Sequence, residues 1–265
     1  MNIIQSANDA WLRAVCDVTN IYGFTRVVKP RGLPCREIYG PYTVTVDPYY
    51  PIVSLVNRKL NYRFAAAEAL WITTGRNDLE FLSSVNKNMA RYSDDGKSLT
   101  GAYGPKIFEQ LDYVVEKLVE DEETRQASLT IWERNPAPSK DVPCTVAMSF
   151  YLRNRRLSCA VFMRSSDIYL GLPYDIFSFS MVMRLVLERY VSKVINNGLG
   201  YLLGPLYITA GSSHLYDHDL EKVAWVNERS PESAIHEKVH SRFFNITTYT
   251  VATEYLHRMM AGDFV

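Results

Sequence analysis

The chain has 265 residues, 47% hydrophobic and 22% charged, which is ordinary for a globular protein and long enough to bury a core without staples. Its formal net charge is zero, which argues against a general affinity for a nucleic-acid backbone and leaves room for a local basic site the size of one phosphate. No stretch approaches the ~20 apolar residues of a membrane helix. Residues 1–10 lack the basic and apolar pattern of a signal peptide, so a cytoplasmic protein is expected.

The elements follow in order. Ala10, Leu12, Val15 and Val18 recur at helical spacing and predict an amphipathic helix over Ala7–Thr19. Lys29-Pro30-Arg31-Gly32 reads as a basic turn, and the alternation over Tyr42–Val46 as a strand closed by Asp47-Pro48. Phe64–Thr73 is an Ala-rich helix ended by Gly75, and Leu79–Val85 a short helix. Asn86–Leu99 is polar and reads as a loop turning at Ser93-Asp94-Asp95-Gly96. Pro105–Val119 predicts a helix with proline in its first turn, followed by an acidic, solvated turn over Glu120–Thr124. Three β-favourable runs come next, Ala127–Trp132, Thr145–Leu152 and Leu157–Phe162, the last two joined by a hairpin turn at Arg153-Asn154-Arg155-Arg156. Phe177–Ile195 is the longest helical pattern, apolar on most faces and hence central, and Asn197-Gly198 ends it. Leu199–Ile208 predicts a strand, His214–Trp225 a helix start, Glu228–Glu237 a polar stretch, Phe244–Val251 a last strand and Thr253–Met260 a last helix. With no repeat, low-complexity tract or linker, residues 1–265 read as a single domain, and helices and strands mixed without strict alternation predict an α+β fold.

Four widely spaced cysteines, Cys16, Cys35, Cys144 and Cys159, predict reduced thiols, and no histidine lies beside a cysteine, so no metal site is expected. Cys159 lies inside an apolar run and reads as inert. Cys144 follows Pro143 and opens a strand, with Arg164 on the next strand of the hairpin and Arg125 before the preceding strand. A cationic neighbour is what a reactive thiol needs. Arg164-Ser165 sets a fork of donors beside a hydroxyl and reads either as a site for one phosphate or, for the arginine alone, as half of a surface ion pair. Glu68 stands in an apolar helix, where burial would raise its pKa into a range useful for proton transfer. His214 and Tyr216 follow Gly211-Ser212-Ser213 and read either as donors to sugar hydroxyls or as a helix-capping cluster.

Six short segments, in order, resemble the thymidylate synthase family, including its pyrimidine-nucleotide hydroxymethylases. They are Ala67-Glu68-Ala69-Leu70-Trp71, Gly101-Ala102-Tyr103-Gly104, Glu123-Thr124-Arg125-Gln126, Pro143-Cys144, the run from Arg164-Ser165-Ser166-Asp167 through Leu170-Gly171-Leu172-Pro173-Tyr174-Asp175-Ile176, and Gly211 to Tyr216. The resemblance spans roughly residues 30–225. It implies a mixed β-sheet flanked by helices, with one sheet face forming a homodimer interface, and binding of a pyrimidine nucleoside monophosphate and 5,10-methylenetetrahydrofolate without a metal. Cys144 would add to C6 of the pyrimidine so that C5 attacks the folate-borne methylene, with Glu68 managing protons. Arg164 and Ser165, with Arg125 from the partner subunit, would bind the phosphate. His214 and Tyr216 would hold the sugar 3′-hydroxyl, Tyr103 would line the site, and Asp167 and Gly171 would face the folate.

The departures carry further expectations. Asp175 stands where thymidylate synthases carry an asparagine that reads uracil, and Thr145 where the uracil enzymes usually carry histidine. In both respects the chain resembles the deoxycytidylate hydroxymethylases. The Asn86–Leu99 loop has no tryptophan, and Met259–Val265 does not resemble the tail with which synthases close the site. Water could then capture the methylene in place of hydride. Gln126 replaces the second arginine of the phosphate pair, for which Arg31 or Arg36 could compensate. The resulting expectation is a cytidylate 5-hydroxymethyltransferase, with dCMP favoured over CMP because Ser165 matches the deoxynucleotide enzymes. Its alternatives are a cytidylate C5-methyltransferase, a thymidylate synthase, or an inactive nucleotide-binding dimer. A phage-encoded DNA-modification enzyme, acting in its host's cytoplasm, and an enzyme of antibiotic synthesis both fit.

Overall fold

The computed structural model describes residues 4–20, 25–194, 200–227, 237–243 and 246–264. Two strands that the sequence marks clearly, β4 (Thr145–Arg153) and β5 (Arg156–Met163), form a hairpin. Its two-residue turn places Asn154 and Arg155 at φ of 50° and 58°, the left-handed pair that matches the twist of the flanking strands. Around the hairpin, β1 (Thr25–Val28), β2 (Cys35–Val46), β3 (Ser128–Thr130), β6 (Ser166–Asp167) and β7 (Leu202–Tyr216) complete one sheet in the order β1-β2-β7-β5-β4-β3, with β6 also on β7. The β5–β7 and β6–β7 pairs are parallel and the others antiparallel, so the sheet is mixed as expected.

Helices α1 (Ala7–Thr19), α2 (Tyr62–Thr73), α3 (Leu79–Ser83), α4 (Tyr103–Glu120), α5 (Leu172–Lys193), α6 (Leu220–Asn227), α7 (Glu237–His240) and α8 (Tyr249–Ala261) flank it. Helix α1 has the predicted bounds, its first turn closed by the Ser6 side chain accepting from the Asp9 amide. Helix α2 ends before Gly75, at φ of 73°, as predicted. Helix α5 is buried on nearly every face and packs against the sheet and α2 and α4, the central position expected of it. It starts at Leu172, so Pro173 and Asp175 belong to its first turn.

Several expectations are corrected. The strand predicted over Tyr42–Val46 begins at Cys35, and that predicted over Leu199–Ile208 runs on to Tyr216. His214 and Tyr216 therefore lie in a strand, and the following helix starts only at Leu220. The reason is a break in period. From Leu206 on, the buried residues of β7 are Leu206, Ile208 and Ala210, then Ser213 and Leu215, with the phase changing at Gly211-Ser212 opposite a register shift between Tyr39 and Tyr42 of β2. A bulge of this kind bends the strand and re-aims its last side chains. The strand predicted over Phe244–Val251 is not formed: Phe244 and Asn245 lie outside the described residues, Ile246–Thr248 are irregular, and Tyr249 opens α8. Asn197-Gly198 and residues 228–236 also lie outside them. Within Asn86–Leu99, Lys87–Tyr92 form a 3-10 helix.

Arg184 of α5 ties the C-terminal segment to the core. It is fully buried and donates from Nε to Ile246 O (3.1 Å), from Nη1 to Ser180 O (2.9 Å) and from Nη2 to Pro48 O (2.8 Å). Burial pulls its pKa down to about 9. Removing the side chain leaves two loop carbonyls buried without donors. Arg184→Met is expected to cost roughly 3 kcal/mol, read as a lower urea midpoint, and an unchanged midpoint would show that the carbonyls find other partners.

Candidate active site

The hairpin brings Cys144 and Arg164 together through the backbone. Thr145 pairs with Met163, and one residue beyond that pair the Arg164 amide donates to Cys144 O at 2.8 Å. The Arg164 guanidinium then folds over the loop that precedes the cysteine, Nε donating to Pro143 O and Nη2 to Val142 O, both at 3.0 Å. Its cation lies 5.6 Å from the Trp132 ring centroid. Nη1 makes no hydrogen bond among the described residues and points to no carboxylate, so the surface ion pair that a lone arginine suggests is not what this residue forms.

Cys144 opens into a pocket of about 150 Å³ that is open to water on one side, lined by Glu68, Tyr103, Asp141 and Asp175 among polar groups and by Trp71, Ile72, Leu82, Met89 and Leu99 on its apolar wall. A flat ring system fits such a wall. The thiol is half-buried, and desolvation pushes its pKa up. Arg164 and Arg31 oppose that rise, while the carboxylates of Asp175 and Asp141 add to it. The other three cysteines are also unbridged, and burial pushes the Cys159 thiol far up, in keeping with an inert role.

Two carboxyls face the thiol from different helices. Glu68 lies on the pocket side of α2 among Ala65, Ala66, Ala67 and Ala69, which offer it no polar partner. Burial, then the charge of Asp175, raises its pKa to about 8. Asp175 sits in the first turn of α5, where the helix dipole favours its anion. Burial nonetheless wins and, with Asp167 nearby, raises its pKa to about 7. Tyr103 lies across the pocket, stacked on Phe179 with centroids 6.1 Å apart, its hydroxyl beside Thr145 and its pKa pushed up by burial. Thr145 is fully buried, and its hydroxyl finds no hydrogen-bond partner among the described residues.

The segment after Arg164 is held in shape by its own backbone. Asp167 accepts from the amides of Tyr169 and Leu170, each at 2.9 Å, and the Gly171 amide donates to Asp167 O at 2.9 Å. Burial raises the Asp167 pKa. A Cβ on Gly171 would stand 3.3 Å from Asp167 O and 3.5 Å from Asp175 Oδ2, so the glycine keeps this corner open. From outside, Trp11 Nε1 donates to Ile168 O at 2.8 Å and Arg58 lies 4.1 Å over the Tyr169 ring.

The bend in β7 places His214 between Asp167 of β6 and Glu37 of β2, both opposite it in register. Its Nδ1 is 3.4 Å from Ser165 Oγ, and its ring meets Tyr216 edge-on with centroids 5.1 Å apart. Burial lowers its pKa, partly opposed by Asp167 and Glu37. The ring is therefore mainly neutral at pH 7, able to donate from one nitrogen and accept at the other. Tyr216 stands at the start of a 3-10 helix, Asp217–Asp219, but its side chain makes no capping hydrogen bond there, so the cluster does not act as a cap.

The structure thus gathers Cys144, Glu68, Asp175 and Tyr103 at one pocket, with Thr145 buried beside the Tyr103 hydroxyl and outside the pocket lining, Arg164 folded over the cysteine loop, Ser165, Asp167, His214 and Tyr216 near the adjoining strand ends, and Gly171 at the start of α5. Arg125 stands apart, exposed before β3 and making no hydrogen bond or ion pair among the described residues. Arg36 donates to Thr19 O at 3.3 Å, whereas the charge of Arg31 acts on both Cys144 and His214, so Arg31 is the basic residue near the site. Sequence reasoning missed Asp141 and Glu37. A carboxylate three residues before a candidate nucleophile was the available signal for the first; nothing local marks the second, which arrives by strand pairing.

The two raised carboxyls make stability fall with pH. Below pH 4.5, the ordinary glutamate value, folded and unfolded chains both hold the Glu68 proton; as pH rises the unfolded chain releases it first, and stability drains until about pH 8. Glu68→Gln removes this loss. It is expected to gain roughly 1–3 kcal/mol at pH 8.5, a value discounted from ~1.4 kcal/mol per pKa unit because the pocket is open to water, and to gain nothing at pH 4. Urea unfolding at the two pH values checks this, and an equal effect at both would mean that the Glu68 charge is not held out of water.

The family model for thymidylate synthase matches residues 31–258. Among curated relatives, a deoxyuridylate hydroxymethyltransferase of Bacillus phage SP01 is 31% identical over 241 residues, covering 80% of this chain. The chain spans 60% of the length of that relative. The matched region takes in every residue gathered at the pocket, and the chain belongs to the thymidylate synthase family.

Proposed function

We propose that the protein transfers a one-carbon unit from 5,10-methylenetetrahydrofolate to C5 of a cytidine nucleotide and completes the cycle with water, giving a 5-hydroxymethyl product. Asp175 carries this reading. Cytosine offers an acceptor at N3 and a donor at its 4-amino group, whereas uracil offers N3–H and O4 in the reverse sense. A carboxyl of pKa about 7 can share one proton with N3 and accept from the amino group, and once ionised it repels O4 of uracil. Buried polar mismatches of this kind discriminate strongly.

In this reading Cys144 adds to C6, and Glu68, of pKa about 8, holds and releases a proton at the ring. The free Nη1 of Arg164 and the cation of Arg31 meet the phosphate, with Arg125 reaching it from a second copy of the chain in a homodimer. Support for the dimer is the outer sheet face, where Tyr39 and Phe162 stand 58% and 46% exposed. Ser165, His214 and Tyr216 hold the sugar, with dCMP favoured over CMP. The folate lies along the apolar wall of the pocket near Asp167 and Gly171. Absence of tryptophan from the 86–99 loop supports capture by water.

A second reading has its own support. The phage relative is named for deoxyuridylate, and if this chain shares that substrate, Asp175 binds uracil in its protonated form. Tritium release from [5-³H]dCMP, [5-³H]CMP and [5-³H]dUMP with methylenetetrahydrofolate separates the two, with products identified by mass. The cytidylates are expected to react, to gain hydroxymethyl, and to lose their advantage over dUMP by roughly 100-fold or more in Asp175→Asn. Wild-type preference for dUMP would establish the second reading, and a methyl product would mean that hydride completes the cycle.

A further inference from the structure

Asp141 is the one carboxylate of the pocket that the reaction described above leaves unused. Three residues before Cys144, it lines the same pocket as Cys144, Glu68 and Asp175. Its Oδ2 accepts from the Gly101 amide at 2.8 Å, and its Oδ1 makes no hydrogen bond among the described residues. The approach to Gly101 is close by construction. A Cβ on Gly101 would stand 2.7 Å from Asp141 O and 2.9 Å from Asp141 Cγ and Oδ2, backbone and carboxyl atoms that cannot both retreat. Gly101 leads into α4 and Tyr103, so the Asp141–Gly101 bond joins the cysteine loop to the opposite pocket wall.

The carboxylate is also fixed from behind. The Asp141 amide donates to Ser139 Oγ (2.9 Å), and Ser139 Oγ donates to Asp94 Oδ2 (2.5 Å). The Lys140 amide donates to Asp94 Oδ1 at 3.1 Å. Asp94 stands on a turn locked by Ser93 Oγ donating to Ser98 O (2.6 Å) and by Asp95 accepting from the Lys97 and Ser98 amides (2.8 Å each). This is the loop without tryptophan. Where a large ring could seal the pocket, the chain instead clamps a polar turn against the cysteine loop and leaves one oxygen of a pocket-lining carboxylate without a hydrogen bond among the described residues.

We propose that Asp141 positions the water that completes the reaction and accepts its proton. This rests on hydroxymethyl transfer being the reaction. At that stage the nucleotide is bonded through C6 to Cys144 Sγ and carries an exocyclic methylene on C5. The water oxygen bonds to the methylene carbon while its proton passes to Asp141 Oδ1. The π pair of the methylene moves into the ring, then forms the C5=C6 bond as the C6–S bond breaks, and Cys144 leaves as thiolate. No oxidant or reductant is needed. Glu68 and Asp175 are occupied otherwise, the first with the ring's protons and the second with the edge of the base. A carboxylate bound by one oxygen to a backbone amide presents its other oxygen in a fixed direction, as a water-orienting group requires.

Asp141→Asn keeps an oxygen for the Gly101 amide and fills the same space, but it accepts no proton. Two quantities are compared in the variant, tritium release from the [5-³H]nucleotide, which reports every step up to loss of the C5 proton, and formation of hydroxymethyl product. Tritium release is expected within about threefold of wild type, while hydroxymethyl product falls at least about tenfold, in line with loss of a general base. The stranded methylene is expected to be captured by added 2-mercaptoethanol as a thioether. Asp141→Ala, which also loses the Gly101 bond, separates packing from proton transfer: it is expected to lower the thermal midpoint, whereas Asp141→Asn leaves it unchanged. Parallel loss of tritium release and product in Asp141→Asn, or product at the wild-type rate, overturns the assignment of Asp141 alone. A wild-type enzyme that forms no hydroxymethyl product overturns the reaction and this role together.

Discussion

Everything at the pocket depends on how the backbone of one hairpin ends. The Arg164 amide binds Cys144 O, and its guanidinium binds the carbonyls of Pro143 and Val142. One residue therefore fixes the cysteine's main chain from three directions and supplies the nearest positive charge to its thiol. Hydrogen bonds from an ionised donor run to about 1.5–3 kcal/mol each, roughly twice a neutral bond. The thiol thus stands at the end of a loop that is anchored to a hairpin, and reactive groups tied to rigid elements keep their aim.

The sequence made much of this legible. The β4–β5 hairpin, the helix over Ala7–Thr19, the Ala-rich run around Glu68 and the buried α5 each rest on a local period or a turn residue, and each formed there, though α5 starts at Leu172 and not at the expected Phe177. What was not legible came from non-local pairing. His214 and Tyr216 follow Gly211-Ser212-Ser213, which reads locally as a loop, yet pairing with β2 on one side and β6 on the other holds them in a strand. Glu37 comes to His214 only through that register, and Asp141 meets Gly101 across 40 positions. The candidate residues could be named because six short segments keep their order. Their mutual support was invisible, because backbone carbonyls and amides provide most of it and have no letter in a sequence.

The pocket sets stability against chemistry. Glu68 and Asp175 would cost the fold little as amides, but as carboxyls of pKa about 8 and 7 they penalise the native state at neutral pH. Both stand at the edge of the core cluster that α2 and α5 share, which is why burial is the first cause of each shift. Displaced pKa values of this size in a cleft are a mark of acid–base work, since ion pairing, the usual structural cause of shifts, is absent from the causes of either one.

In the proposed reaction, charge couples base selection to the nucleophile. The Asp175 and Asp141 carboxylates disfavour the Cys144 thiolate, and Arg164 and Arg31 favour it. A nucleotide phosphate arriving at the arginines neutralises part of what favours the thiolate. What can restore the balance is loss of negative charge at Asp175, because opposite or like charges within ~4–6 Å shift a pKa by one to three units. A base edge that keeps a proton on Asp175 therefore does two things at once: it satisfies the carboxyl's hydrogen bonds and it releases the thiol from a neighbouring anion. A base edge that leaves Asp175 ionised does neither. Discrimination at this position then enters the rate of sulfur attack as well as the binding of the ring, which is the more effective place for it, since only interactions that strengthen on the way to the transition state accelerate the reaction.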